Sequence, residues 1–595
     1  MKSTNSGSRN PVLESNLTAL QHRCPETAHA LEEALPLVSG FSGVQTESNG
    51  TITLHNESGK QIRVLDPPPG NMPSPPNAIR ILLGIGNGTL LSGMLAHGQT
   101  RVIVIEKEPA LLVHFLSAQD LSPAIDSAQL SIMVPFVSGT AVTDVSLHDI
   151  VCSLNRLHLN GESFTFVNSG SVELCNEFYT AINKSCLFFT TMHSRLMPLR
   201  RHGSSFQSDI TVVSPNCRIF NDLAHALARP GIGVNLHRVP DHSDDWTPEN
   251  RLKSLKALSR RPSRYLLLRN RCLMETASAR EPLAPELYLD SRLVHWWWDR
   301  PNVSSCIDMK RYESARQNIV FAKDMTNRFD PPAQWLPPGA LTRFTDCAPP
   351  PAPDMGITLV GQSRVQRLAQ NLTVLRNFLS GIRLEETVSL ARGMQFNKDI
   401  IGLYHFLSQN QIAIRSGIDR ISSAFPFQAY YLRYILDMCT TAAFRICCVK
   451  VLTNADIPVH VFGDKGWLES NAIKERDYKG LLSPEQLPEV YGRSRLNLNV
   501  NFMQVSSAVN PRVLDICAAG GVVVTDPTSD MTDLFPESRL RPFTFSRPEE
   551  LPDTVNAILN ADRAEYRHEM MQHVRANHSI RNRADEILNL LDLKG

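Results

Sequence analysis

The chain has almost no net charge: 60 Lys and Arg face 59 Asp and Glu among 595 residues, a formal +1. Without an excess of cations there is no bulk electrostatic reason to expect a nucleic-acid partner. Cysteine is scarce too. The 12 cysteines include no Cys-x-x-Cys pair, which argues against a disulfide framework and against a structural zinc site. Long apolar runs are missing: "SCLFFTTM" is among the more apolar short stretches, far below the ~18 residues of a membrane span. The polar start "MKSTNSGSRNPVLESN" lacks the apolar core of a signal peptide. A reducing, cytoplasmic setting without a transmembrane segment is the expectation.

What is present is the make-up of an ordinary globular protein, with 42% hydrophobic and 20% charged residues, and 39 prolines to mark turns and linkers. The length predicts three or four globular units. Residues 1–77 read as a helical lead-in followed by short alternating strands and the proline-rich joint "DPPPGNMPSPPN". Residues 78–200 open with "AIRILLGIGNGTLLSGMLAHGQTRVIVIEKEP", a pattern of strand, glycine turn, helix and strand. Gly84, Gly86 and Gly88 permit a sharp turn at which an anion could approach a helix N-terminus. Glu106, about 20 residues on, stands where nucleotide- and S-adenosylmethionine-binding folds carry a ribose-hydroxyl acceptor. The alternative is a structural α/β unit whose glycines only allow close helix packing.

A second α/β unit runs from 205 to 345, and Asp299, at the polar end of "RLVHWWWDRPN", is a candidate for the ligand crevice. Its three adjacent tryptophans fit packing better than a stacking platform. A third unit, 356–595, alternates strands and helices through "ITLVGQSRVQRL", "VHVFGDKGW", "LPEVYGRSRLNLNV" and "NPRVLDICAAGGVVVTD", implying a further parallel sheet. The terminal stretch "ADRAEYRHEMMQHVRANHSIRNRADEILNLL" reads as one long helix, packed through Met570, Val574 and Ile587.

In that order, with "WWWDRP" ahead of them and "FTFSRPEELPDTVNAIL" behind, these pieces resemble the CgeB-like group of bacterial glycosyltransferases, relatives of the group-1 family with the GT-B fold. The 78–200 segment resembles the Rossmann-like part of the motility-associated-factor family, whose members are linked to flagellin glycosylation. The resemblance implies an α/β chain with two Rossmann-like GT-B domains, 205–345 on the acceptor side and 356–595 on the donor side, preceded by a further Rossmann-like domain. It implies transfer of a sugar from a nucleotide-sugar donor to a protein or surface-glycan acceptor, such as flagellin, without a metal or other required cofactor. No Asp-x-Asp pair, the usual cation holder of metal-dependent transferases, occurs in the chain.

Carried over residue by residue, the resemblance puts Asp515 where the family has a ribose-gripping glutamate, a shorter residue in the same place. It puts Arg512 near the diphosphate, or in an ion pair with Asp515. Gly361 and Arg364 fall on the first donor-domain loop, and Gly463 and Trp467 follow the strand that leads to the base pocket. Asn510 precedes the donor helix, and Gly520 and Gly521 end it, one of them explained by C-capping alone. Asp299 is the named catalytic base. Two alternatives stand beside this reading: an additional S-adenosylmethionine-dependent methyltransferase activity in residues 78–200, and a non-catalytic scaffold built from degenerate domains.

Overall fold

The computed structural model describes residues 10–23, 27–28, 31–32, 35, 45–46, 52–55, 61–64, 79–96, 101–106, 109–134, 163–167, 178–180, 182–183, 206–215, 217–239, 248–269, 289–298, 316–329, 331–381, 400–419, 426–501 and 507–593. Asp299 and the proline-rich joint lie outside the described residues.

Four sheets follow one another along the chain. The first is a small antiparallel one, β1 (Gln45–Thr46), β2 (Ile52–His55) and β3 (Gln61–Val64). The next three are wholly parallel, which requires a crossover between successive strands and explains the strand-helix alternation. β4 (Ile79–Leu83), β5 (Arg101–Ile105), β6 (Leu130–Met133) and β7 (Ser163–Val167) lie in the order β6-β5-β4-β7. By sequence rank this is 3-2-1-4, the first half of a Rossmann sheet. β4 is buried along its whole length, as a strand covered on both faces must be.

A six-stranded sheet comes next: β8 (Ser208–Pro215), β9 (Val234–Val239), β10 (Ser263–Arg269), β11 (Arg292–Trp297), β12 (Arg316–Val320) and β13 (Gln334–Trp335), in the order β13-β12-β11-β10-β8-β9. Its core is aromatic. Trp296, Trp297 and Trp298 are all buried, the first two donating their indole N–H groups to the Leu336 carbonyl and the Asn318 side chain. The last sheet holds β14 (Met355–Val360), β15 (Val459–Phe462), β16 (Tyr478–Gly480), β17 (Ser494–Leu498), β18 (Val523–Thr525) and β19 (Phe543–Thr544), in the order β16-β15-β14-β17-β18-β19. By rank this is 3-2-1-4-5-6, with its switch point between β14 and β17.

The C-terminal stretch is not one helix. It breaks at His578 into Ala564–Asn577 and Ile580–Leu590, the second opened by the Ser579 side chain, which caps the Asn582 amide. Met570 and Val574 pack on the helix Pro511–Ala518, whereas Ile580, Ile587 and Leu588 join the tryptophan core of the preceding sheet. The chain thus returns to the first six-stranded sheet after completing the second, tying the two Rossmann-like units together. Among the described residues no helix is long and apolar enough to cross a membrane.

Candidate functional site

The β14/β17 switch point is the general ligand position of open α/β sheets, at the carboxyl ends of the strands. Gly361 begins the β14 loop. A side chain there would start 3.7 Å from Arg445 Nη1 and 3.9 Å from Arg512 Nη2, so the bare backbone faces two guanidinium groups. Arg364, three residues on, holds a left-handed φ of 62°, a conformation that costs a non-glycine residue about 1 kcal/mol or more and that concentrates at ligand sites. Burial holds Arg364 below the usual arginine range, and the charges of Arg367 and Arg512 add to it. Arg445 is 7% exposed, and burial, then Arg512 and Arg364, push it down to about 9. The three arginines therefore feel one another.

Other side chains brace this cluster. Asp464 receives the Ser363 amide at 2.7 Å and the Ser363 hydroxyl at 2.5 Å, and also the Gly466 amide at 2.9 Å, which ties the β14 loop to the β15 loop. Gly463 crosses beneath: a Cβ there would lie 2.2 Å from the Gly361 carbonyl oxygen. Trp467 does not offer a face to a base. It is fully buried, and its indole N–H donates to the Gly361 carbonyl at 2.8 Å, supporting the loop from below. Along β17 and just beyond, Asn497, Asn499 and Asn501 alternate with Leu498 and Val500, so one face is a buried polar ladder. Asn499 Oδ1 accepts from Arg512 Nη1 at 3.3 Å, and Asn501 reaches Asp526.

Arg512 and Asp515 lie on Pro511–Ala518 but go to different partners rather than to each other. Asn510 caps this helix, its side chain accepting the Arg512 amide at 3.0 Å, with Pro511 at the first position. Asp515 Oδ1 accepts the Leu341 amide at 3.1 Å, in the connection between the two six-stranded sheets, and burial pushes its carboxyl up to about 7. In this structure its Oδ1 is therefore turned to the hinge. Gly520 and Gly521 close the far end of the helix in a Schellman arrangement, with Gly520 at φ 77° and their amides bonded to the Cys517 and Ile516 carbonyls. The glycine pair thus stands a helix length from Arg512 and packs against Pro350, Tyr491 and Asn497.

Around this connection opens a cleft of about 740 Å³, walled by Arg218 and Asp222 from the first six-stranded sheet's side, Arg343 from the connection, and Glu485 and Glu489 from the last sheet's side. Asp222 accepts the Thr342 amide at 3.1 Å, one residue beyond the amide held by Asp515.

The N-terminal glycine loop is organised differently. Gly84, Gly86 and Gly88 all have positive φ, and a Cβ on Gly88 would fall inside the Phe115 ring. Glu106 is fully buried; it accepts the Ile85 amide at 2.7 Å and the Tyr179 hydroxyl at 3.0 Å. The residue expected to meet a ribose hydroxyl instead staples the loop shut from within, because a buried carboxylate must find donors inside the protein.

Sequence reasoning missed Arg445, Asp464, Asp222 and the asparagine ladder. Two of these had a visible signal: Arg445 is a cation inside the apolar run "CTTAAFRICCV", and "LNLNVN" alternates asparagine with apolar residues.

Residues 445–589 match the family model described as glycosyl transferase-like. No curated protein matches. Among solved structures, sucrose-phosphate synthase from Thermosynechococcus elongatus is 12% identical, the alignment covering 65% of this chain and 98% of that one with a TM-score of 0.37. The α,α-trehalose 6-phosphate synthase from Burkholderia multivorans is 10% identical over 65% of this chain and 98% of that one, with a TM-score of 0.33. The family match spans Arg445, Arg512 and Asp515, and glycosyl transfer is the activity it supports.

Proposed function

We propose that the chain transfers a sugar from a nucleotide-sugar donor to a protein or surface-glycan acceptor, flagellin being one acceptor of the right kind. The observation that carries this reading is the convergence of arginine side chains on the bare Gly361 backbone at the β14/β17 switch point. Glycosyl transfer builds negative charge on the departing diphosphate, and preorganised cationic donors in a partly dry crevice stabilise that charge as it forms. Arg364 and Arg512 are the groups we assign to the diphosphate. With guanidinium groups as the counter-charge the reaction runs without a metal, so chelation by EDTA leaves the rate unchanged.

Asp515 is the proposed ribose anchor, its carboxylate passing from the Leu341 amide to the donor's hydroxyl groups. Asp299 is the proposed base that takes the acceptor proton, and the hinge cleft is where we place the acceptor. Thermal unfolding in the presence of UDP-, GDP-, dTDP- and CMP-linked sugars tests the assignment. One of them at a hundred times its Kd stabilises the wild type by about 2.7 kcal/mol, and Arg512→Ala and Asp515→Ala each abolish that gain. Unchanged donor affinity and transfer rate in both variants would overturn the site.

A second reading gives the 78–200 segment an S-adenosylmethionine site. The 3-2-1-4 strand order supports it, because the glycine loop then sits at a switch point; the occupied Glu106 carboxylate counts against it. S-Adenosylmethionine that raises the unfolding temperature of the wild type, and not of Gly86→Val, would establish this binding site beside the first.

A further inference from the structure

Arg445 lies on a 29-residue helix, Pro426–Asn454, that runs behind the β14/β17 crevice. Its guanidinium is forked between two carbonyl groups from the two loops that frame the switch point. Nη1 donates to Gln362 O, in the β14 loop, at 2.8 Å; Nη2 donates to Val500 O, beyond β17, at 3.1 Å. A planar fork with fixed donor directions can make such a clasp, whereas an ammonium supplies one point of attachment with no set angle. The clasp fixes the width of the mouth between the loops and leaves the cationic face of Arg445 toward Gly361, beside Arg512.

Structure alone does not call for a cation there. A buried charge is costly unless paired, and an uncharged amide could satisfy a carbonyl. The charges facing Arg445 are Arg512 on Pro511–Ala518, Arg364 in the β14 loop and Asp526 at the end of β18, with the Cys448 thiol on its own helix. Two of those three charges repel it. Among the described residues neither Arg445 nor Arg512 makes a salt bridge within 4.0 Å. Arg445 and Arg512, held beside a bare glycine with Arg364 close enough to repel them both, are stabilised by an anion that they can face.

We propose that Arg445 is a positioning residue of the donor site: it holds the two switch-point loops at the separation a diphosphate needs and supplies the third cationic charge behind that group. The inference rests on the glycosyl-transfer reading above and adds to it a residue that does not itself touch the sugar.

The experiment measures binding of UDP and of inorganic pyrophosphate, by titration calorimetry at low and high salt, to wild type, Arg445→Lys, Arg445→Met and Gly361→Asp. Arg445→Met is expected to bind both probes 10- to 100-fold more weakly, with a shallower dependence on salt. Arg445→Lys should keep the salt dependence while losing part of the affinity, because the charge remains and the fork does not. Gly361→Asp places a carboxylate against Arg445 and Arg512 and should abolish pyrophosphate binding; Arg445→Lys, which keeps the charge and loses the fork, decides the matter if Arg445→Met fails to fold. In turnover, Arg445→Lys should raise KM for the donor more than it lowers kcat. A wild type that binds neither probe overturns the donor site itself. A wild type that binds both, with Arg445→Met or Arg445→Lys indistinguishable from it in affinity and salt dependence, overturns the role of Arg445 alone.

Discussion

At the scale of single residues, the Gly361 loop is held up by groups packed beneath it. Gly463 is the clearest case, since a methyl there would collide with the backbone oxygen of Gly361 at 2.2 Å. Gly463→Ala should destabilise the donor domain by roughly 1–3 kcal/mol, measured by urea unfolding, and weaken donor binding because the Gly361 loop must shift. Asp515 gives a pH signature. Burial raises its carboxyl from 3.8 to about 7, so between those values the folded state keeps a proton that the unfolded state has released. The contribution of this group is complete below pH 3.8 and is lost as pH rises through 7. Replacing it by Asn, which still presents an oxygen to the Leu341 amide, should flatten the fall in stability between pH 4 and 7. An unchanged slope would mean that Asp515 is ionised in the folded protein.

At the scale of elements, much was legible because strands and caps are written locally. The strand, glycine turn and strand at 79–105, the cap by glycine at Gly520 and the buried tryptophan strand all follow from patterns within about ten residues of sequence. The break in the terminal helix was not read. Its signal is Ser579 with Asn582 three residues later, a capping pair in which Asn replaces the usual Glu or Gln. Trp467, likewise, looks the same in sequence whether it stacks on a ligand or on a core; only the position of the Gly361 carbonyl decides. Ser579→Ala should cost about 1 kcal/mol in thermal or chemical unfolding. His578, at the break, accepts from Arg583 and meets the Leu534 carbonyl, and burial lowers it to about 4. That contribution is present above pH 6.5 and fades as pH falls toward 4, opposite in sign to that of Asp515.

At the scale of the whole molecule, the hinge is gripped from both sides. The amides of Leu341 and Thr342 are taken by Asp515 from the donor side and Asp222 from the first six-stranded sheet's side. No sequence pattern announces this pairing, since its members are about 290 residues apart in the chain and meet only through the connection between the sheets. If donor ribose draws Asp515 away, Asp222 stays on the Thr342 amide, beside the backbone bonds that tie Ala340 to His578 and Ile580. Asp222→Ala is therefore expected to widen the distribution of distances between spin labels on the two halves and to enlarge the change seen on adding donor; identical distributions in variant and wild type would rule the clamp out.

The returning helix Ile580–Leu590 has a consequence for how the chain is made. Ile580, Ile587 and Leu588 complete the core around Trp296, which sits on strands synthesised long before. Translation runs in one direction at about 5–20 residues per second, so on the order of ten to fifty seconds separate the last strand of that sheet from the helix that covers it. Throughout that interval the earlier half waits with an apolar seam open to solvent. The last sheet's unit is thus complete first, although it is encoded second.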